Sequence, residues 1–210
     1  FWAVQNVEFP DGEESNREIR NSISVIRLIT RIIFVWFMKE KNLIPETLFD
    51  STKIPNIIHF SDANNSSYYK AILQNLFFAT LNTEMSDATE DKRRFRDEIT
   101  GKYNPSFNVH SLYRYEKLFN NPSTAIGTYF DKIPFLNGGL FECLDTVVTE
   151  HNCTSYNRID GFSDRQDNVL KVPDYLFLQE TEAEVDLNGI YGTIGKRYKV
   201  RGLISILNSY

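Results

Sequence analysis

Residues Ser15 to Asn42 constrain the fold more than any other stretch, because they read as one long helix that must be covered. Ser15 and Glu18 stand at capping-box spacing, in which a hydroxyl and a carboxylate satisfy the free N–H groups of a first turn. Ile19, Ile23, Ile26 and Ile33 recur at helical spacing, and Val25, Leu28, Ile29 and Ile32 widen the apolar face. No polar residue interrupts Ile32 to Met38, so the second half is expected to be buried on every side, as the spine of a domain. Lys39 and Lys41 put positive charge at the partially negative C-terminal end. Asn42 suits a left-handed stop, and Pro45 bars continuation. The uninterrupted apolar run ends at Met38, short of the ~20 residues of a bilayer crossing, so no membrane partner is expected.

Arg20, Arg27 and Arg31 fall on one line of this helix, with Ser24 between them. Two readings fit. The line is a solvated or carboxylate-paired face, or it is a basic stripe whose guanidinium forks match phosphate oxygens.

A second helix is expected from Ser66 or Ser67 to about Asn82, with Tyr69, Ile72, Leu73, Leu76, Phe77 and Leu81 on one face, packed against the first. Between the two, Pro45 to Asp50 reads as a short helical turn and residues 51–65 as a loop. Phe1 to Val7 alternates loosely like a short strand, closed by Pro10-Asp11-Gly12. Val109 to Phe119 patterns as a third helix with Leu112, Tyr115, Leu118 and Phe119 inward, and Asn121-Pro122-Ser123 starts another. Asn137, Gly138 and Gly139 are expected to take positive φ in a tight structural reversal, pinned by apolar neighbours from Ile133 to Phe141. Beyond residue 145 the pattern is irregular. Val169 to Val172 and Tyr175 to Leu178 read as strands or buried loop, and Gly189, Gly192, Gly195 and Gly202 break up the approach to a final helix.

Sixteen Phe and eleven Tyr in 210 residues argue for a packed globule, one domain in length. A net charge of −5 speaks against a dedicated nucleic-acid-binding domain, yet leaves room for a local basic face. Such a face is offered by Lys92, Arg93, Arg94 and Arg96, within a charged run that otherwise reads as solvated. Two cysteines make no disulfide framework and no signal peptide is visible, so a cytoplasmic setting is expected and the glycosylation-type triplets at Asn64, Asn65 and Asn152 carry no weight. The first residue is not Met, and the final amphipathic pattern has no stop, so the chain is expected to be part of a longer protein.

No stretch makes a convincing active site. Asn104-Pro105-Ser106-Phe107 resembles the Asn-Pro-Pro-Tyr signature of amino-methyltransferases, but it lacks the second proline and a preceding Gly-rich cofactor loop. Cys143, His151 and Cys153, with His59 or His110, could surround zinc, but the paired Cys-x-x-Cys knuckles of structural sites are absent. Pro10-Asp11 and Pro173-Asp174 begin a restriction-nuclease pattern that no acidic-x-Lys segment completes. Gly192 to Gly195 is followed by no P-loop Lys-Ser/Thr pair.

Taken in order, Arg27 to Ile44, Tyr69 to Asn82, the Pro-hydrophobic-Asn-Gly-Gly-Leu-Phe-Glu stretch within Ile133 to Glu142, Arg158 to Phe177 and Tyr198 to Tyr210 resemble one family. These are the type II bifunctional (type IIG or IIS) restriction–modification enzymes with an adenine-specific DNA methyltransferase. The resemblance covers most of residues 25–210. It implies a helical connector between a nuclease-like region and the methyltransferase, with S-adenosylmethionine and Mg2+ serving the longer protein and no cofactor held by this segment. Residues 1–14 would then be the tail of the nuclease-like region, and 198–210 the start of a helix leading to the methyltransferase.

The expectation is thus a mainly α connector domain over residues 1–210, built on a long buried helix, with an irregular, partly β C-terminal part. No catalytic, cofactor or metal residue is assigned. Double-stranded DNA is the expected partner of the longer protein, with the flanking nuclease and methyltransferase domains as the others. Contacts to its backbone would come from Arg20, Arg27, Arg31, Lys92, Arg93, Arg94 or Arg96. The rival reading is a non-enzymatic helical protein-interaction module.

Overall fold

A computed structural model describes residues 1–12, 14–60, 65–87, 92–97, 99–104, 107, 109–136, 138–150, 153–163 and 168–210. Helix dominates, as the sequence implies, and the strands form only small sheets. The centre of the molecule is a π-helix, Tyr68–Thr80, in which every residue except Lys70 is buried. Its turns are wide: the Leu81 amide closes on the Leu76 carbonyl five residues back at 3.0 Å, and the Thr80 hydroxyl donates to the Asn75 carbonyl. Being covered on all sides, it needs no amphipathic face, which is why Gln74, Asn75 and Thr80 lie as deep as the leucines. Asn75 makes this tolerable, with its amide donating to the Ala71 and Arg114 carbonyls and its oxygen accepting from the Arg114 N–H at 2.8 Å.

The longest helix, α2 (Arg17–Glu40), is capped by Asn16 instead of Ser15. The Asn16 oxygen accepts from the Glu18 and Ile19 amides at 3.0 and 3.2 Å. Asn42 takes the left-handed stop at φ 58°. The expectation of a wholly buried second half is wrong. Val25, Leu28, Ile32, Val35 and Met38 face the core, while Ile33, Phe34 and Phe37 join Ile19, Ile23, Ile26 and Ile29 on the outside. The inward face also takes in the polar line: Arg20, Asn21, Ser24 and Arg31 are buried. By length and composition alone α2 would pass for a membrane crossing, with a mean hydropathy of 1.5. Phe141 stands between the two long helices, edge-on to Phe34 at 5.6 Å and against Phe77 at 5.7 Å.

Around this pair run short elements. Helix α1 (Trp2–Asn6) stands where a strand was expected; the Asn6 side chain closes its turn on the Trp2 carbonyl. Val7 and Phe9 enter the core, and Glu8 exchanges both backbone bonds with Lys171 at 2.8 Å. The segment 109–119 is not a helix. Its backbone at Arg114 is taken by the Asn75 side chain, Tyr115 is left-handed at φ 62°, and only Glu116–Leu118 makes a 3-10 turn. Glu46–Phe49 is the expected helical turn, and α3 (Pro122–Tyr129) starts at the expected proline.

The C-terminal part carries two antiparallel hairpins, β1 (Thr146–Glu150) with β2 (Cys153–Asn157) and β3 (Ala183–Val185) with β4 (Tyr198–Val200). Three short helices accompany them: α4 (Tyr175–Leu178), α5 (Asn188–Tyr191) and α6 (Leu203–Leu207). Tyr175 to Leu178 is therefore helical, neither strand nor loop. Helix α6 reaches α4 through Gly202, where any Cβ would stand 2.4 Å from the Phe177 carbonyl oxygen. Asn137 lies outside the described residues. Gly138 has φ −150°, ordinary extended backbone, and Gly139–Phe141 is a 3-10 turn, so the expected positive-φ reversal is not made at Gly138.

Candidate phosphate-binding cleft

Burial divides the cations singled out in the sequence into two groups. Those of α2 are structural. Arg20 donates to the Phe9 carbonyl and, at 3.0 Å, to that of Glu14, and pairs with Asp11 at 2.9 Å. Arg31 is 2% exposed. Its guanidinium meets Asp160 at 2.8 Å and the carbonyls of Leu140 and Glu142 at 2.8 and 2.9 Å, over the Phe78 ring. Asp160 is held in turn by the Leu144 amide, and Asp145 receives the amides of Asp160, Gly161 and Phe162. Half-buried Arg27 leans on Asp160 at 3.9 Å. Arg20 and Arg31 are thus paired with carboxylates, and Arg27 approaches one.

The second cluster is split within five residues. Arg93 is 2% exposed and directs its guanidinium at the carbonyls of Thr80, Thr83, Phe130, Asp131 and Ile133. These carbonyls lie at or just beyond the C-terminal ends of the π-helix and α3, the negative poles of both. Burial lowers its affinity for the proton, with Tyr113 and Asp131 acting in the opposite sense. Lys92 is held by Glu84 at 2.7 Å and Asp87 at 3.6 Å. Arg94, by contrast, is exposed, and Arg96 is half-buried.

Arg94 and Arg96 line an open cleft of about 580 Å3 together with Lys92, Lys102, Tyr103 and His110. None of its described lining residues is acidic. Tyr103 is 44% exposed, and its ring lies against the His110 imidazole at 5.1 Å. The Ser111 hydroxyl, also on the wall, is shut off from solvent with no hydrogen-bond partner among the described residues. Local backbone builds this shape. Asn104 and Val109 exchange backbone bonds, and the Phe107 amide donates to the Asn104 side chain at 3.3 Å. Phe95 bridges to Tyr113 and packs on Phe119 at 5.6 Å, which turns Arg94 and Arg96 outward. Gly101 closes the floor, since a Cβ there would lie 2.1 Å from the His110 carbonyl oxygen. Cations and an exposed aromatic face make a surface suited to phosphate oxygens and a stacked base.

Against this geometry stand the comparisons with known proteins. The chain is 29% identical, over 135 residues, to a proposed type II restriction enzyme and methyltransferase of Methanocaldococcus jannaschii. The match takes in 62% of this chain and 8% of that protein. It supports a loose relationship to restriction–modification proteins. No protein-family profile matches the sequence, and no solved structure does.

The remaining sequence motifs have structural employment. Asn104 caps its own loop, while Pro105 and Ser106 lie outside the described residues. Asp11 pairs with Arg20. Asp174 accepts the Ser67 and Tyr68 amides at the start of the π-helix, and its burial pushes the carboxyl up to about 7. Cys143 is buried, which raises its thiol well above the ordinary range. His151 and the Cys153 side chain lie outside the described residues; among those described, no three His, Cys, Asp or Glu gather as metal ligands. Sequence reasoning missed Lys102, Tyr103 and Ser111, and weighed His110 only as a zinc ligand. Lys102 was visible as a cation near the basic knot, but nothing in the spacing of Lys102 and His110 announces the Asn104–Val109 bridge that brings them together.

Proposed function

We propose that this chain is a non-catalytic connector of a restriction–modification DNA adenine methyltransferase, and that it holds the DNA backbone in the Arg94–Lys102 cleft. The carrying observation is the cleft itself: Arg94, Arg96 and Lys102 on a wall with no described acidic residue, in a chain otherwise acidic. The distant likeness to the Methanocaldococcus jannaschii protein supports DNA as the phosphate source. In the longer protein, methyl transfer from S-adenosylmethionine to adenine N6 would follow base flipping in the methyltransferase region. This chain contributes spacing and a grip on phosphate.

The test is fluorescence anisotropy of the chain with a labelled random-sequence duplex. Arg94→Ala combined with Lys102→Ala should weaken binding to random and specific duplexes alike, with an unaltered melting temperature, because phosphate contacts carry no sequence information. Unchanged affinity in that variant refutes the proposal.

A further inference from the structure

Tyr103 and His110 meet for a reason that lies in the backbone. Asn104 and Val109 exchange both of their backbone hydrogen bonds, at 2.8 and 3.4 Å, as an antiparallel pair. One residue further out on the two segments stand Tyr103 and His110, at the position of such a ladder where facing side chains come closest. Their rings lie 5.1 Å apart, inclined at 46°. Behind them the backbone of Gly101 runs so near the His110 carbonyl that a Cβ has no room, which fixes the segment carrying the imidazole. The Tyr103 ring is therefore held in place by main chain on both sides of the pair, while nearly half of the residue stays exposed. An aromatic platform stands ready inside a cleft whose other lining includes Arg94, Arg96 and Lys102. At about 580 Å3 that cleft has the size of a small-ligand site.

In a continuous duplex every base is covered on both faces by its neighbours. The cations of the cleft could then reach phosphates while the Tyr103 ring went unused. An unpaired nucleotide offers a bare base face and its phosphates together, the combination that a charged groove with an aromatic platform takes up. We propose that the cleft prefers an unpaired nucleotide of a DNA strand to continuous duplex, with the base stacked on Tyr103 and the flanking phosphates on Arg94 and Lys102. His110 acts as a positioning residue that backs the Tyr103 ring. Lys92 is already held by Glu84 and Asp87 and is not needed for the grip. Since every base has a π face, the preference is for the unpaired state and not for a sequence. The inference rests on the phosphate grip proposed above and adds the base to it.

Anisotropy titrations of the chain at one salt concentration compare a continuous duplex with the same duplex carrying an unpaired 2-aminopurine. The unpaired base should tighten binding about tenfold, the order that one base–aromatic stack supplies. Its emission should be quenched on binding. The ratio of the two affinities is the readout, so a general loss of binding is not mistaken for a loss of stacking. Tyr103→Leu should bring the ratio to unity and abolish the quenching, while Tyr103→Phe, which keeps the ring, should retain both. Equal affinities in the parent chain overturn the inference, as does a ratio that survives Tyr103→Leu or is lost in Tyr103→Phe. If Arg94→Ala with Lys102→Ala still weakens duplex binding, the phosphate grip stands even then. DNA binding indifferent to Arg94 and Lys102 overturns both readings. Deoxyadenosine monophosphate competing as strongly as the unpaired duplex overturns a DNA strand as the source of the nucleotide.

Discussion

Arg93 and Arg94 are adjacent in sequence and opposite in consequence. Arg93→Met keeps an unbranched stem and removes all six hydrogen bonds to five carbonyls. Each buried acceptor left unsatisfied costs about 1–3 kcal/mol, although those nearest the surface regain water. Removing the buried charge returns part of its desolvation cost, so the net loss should be about 3–5 kcal/mol, as for other buried charges deprived of partners. For a domain of this length, 1 kcal/mol moves the melting temperature by about 2–4 °C, which places the drop at about 6–20 °C. Arg94→Ala removes an exposed side chain and should stay within about 0.5 kcal/mol of the parent. Urea unfolding followed by tryptophan fluorescence measures both. Equal midpoints for the two variants would refute the assignment of Arg93 as the clamp on two helix ends.

Gly101→Ala should destabilise the cleft by more than about 1 kcal/mol, because its Cβ would press on the His110 carbonyl at 2.1 Å and that atom is backbone; thermal melting checks it. Gly138→Ala should be neutral within about 0.5 kcal/mol in the same assay, since its φ is extended and nothing lies within 4 Å of the new Cβ. Asp174 has a folded-state pKa pushed up to about 7, above its unfolded value of about 3.9. The folded chain therefore holds the extra proton between those limits, and stability contributed by this group falls as pH rises from about 4 to 7. Asp174→Asn should flatten that portion of the stability profile in urea titrations; an unchanged slope would contradict the burial argument.

The parts of the fold that were legible in the sequence are those set by local chemistry. The proline at the start of α3, the left-handed Asn42 and the turn after Pro45 each depend on one or two residues whose backbone preferences tertiary contacts reinforce. Orientation was not legible. An isoleucine stripe at helical spacing announces an apolar face, but in α2 both faces carry branched apolar residues, and the arginines buried themselves by finding Asp160 and carbonyls far along the chain. Arg31 to Asp160 spans 129 residues, beyond the reach of any local pattern. The same holds for segment 109–119, where a plausible helical pattern lost its backbone to Asn75. Of the candidate site, the basic knot was visible as composition. Its division into the Arg93 clamp, the paired Lys92 and the outward Arg94 and Arg96 came from packing of Phe95 against Tyr113 and Phe119.

If the cleft grips DNA through phosphate charge, duplex binding must depend on salt through Arg94 and Lys102. Each phosphate neutralised contributes about 0.9 to the slope of log K against log salt. The unsubstituted chain should show a linear fall. Arg94→Ala with Lys102→Ala should flatten it by about 0.9 for each phosphate no longer neutralised, equally on random and specific duplexes. A slope identical to that of the parent, or a weakening confined to one sequence, would contradict the account.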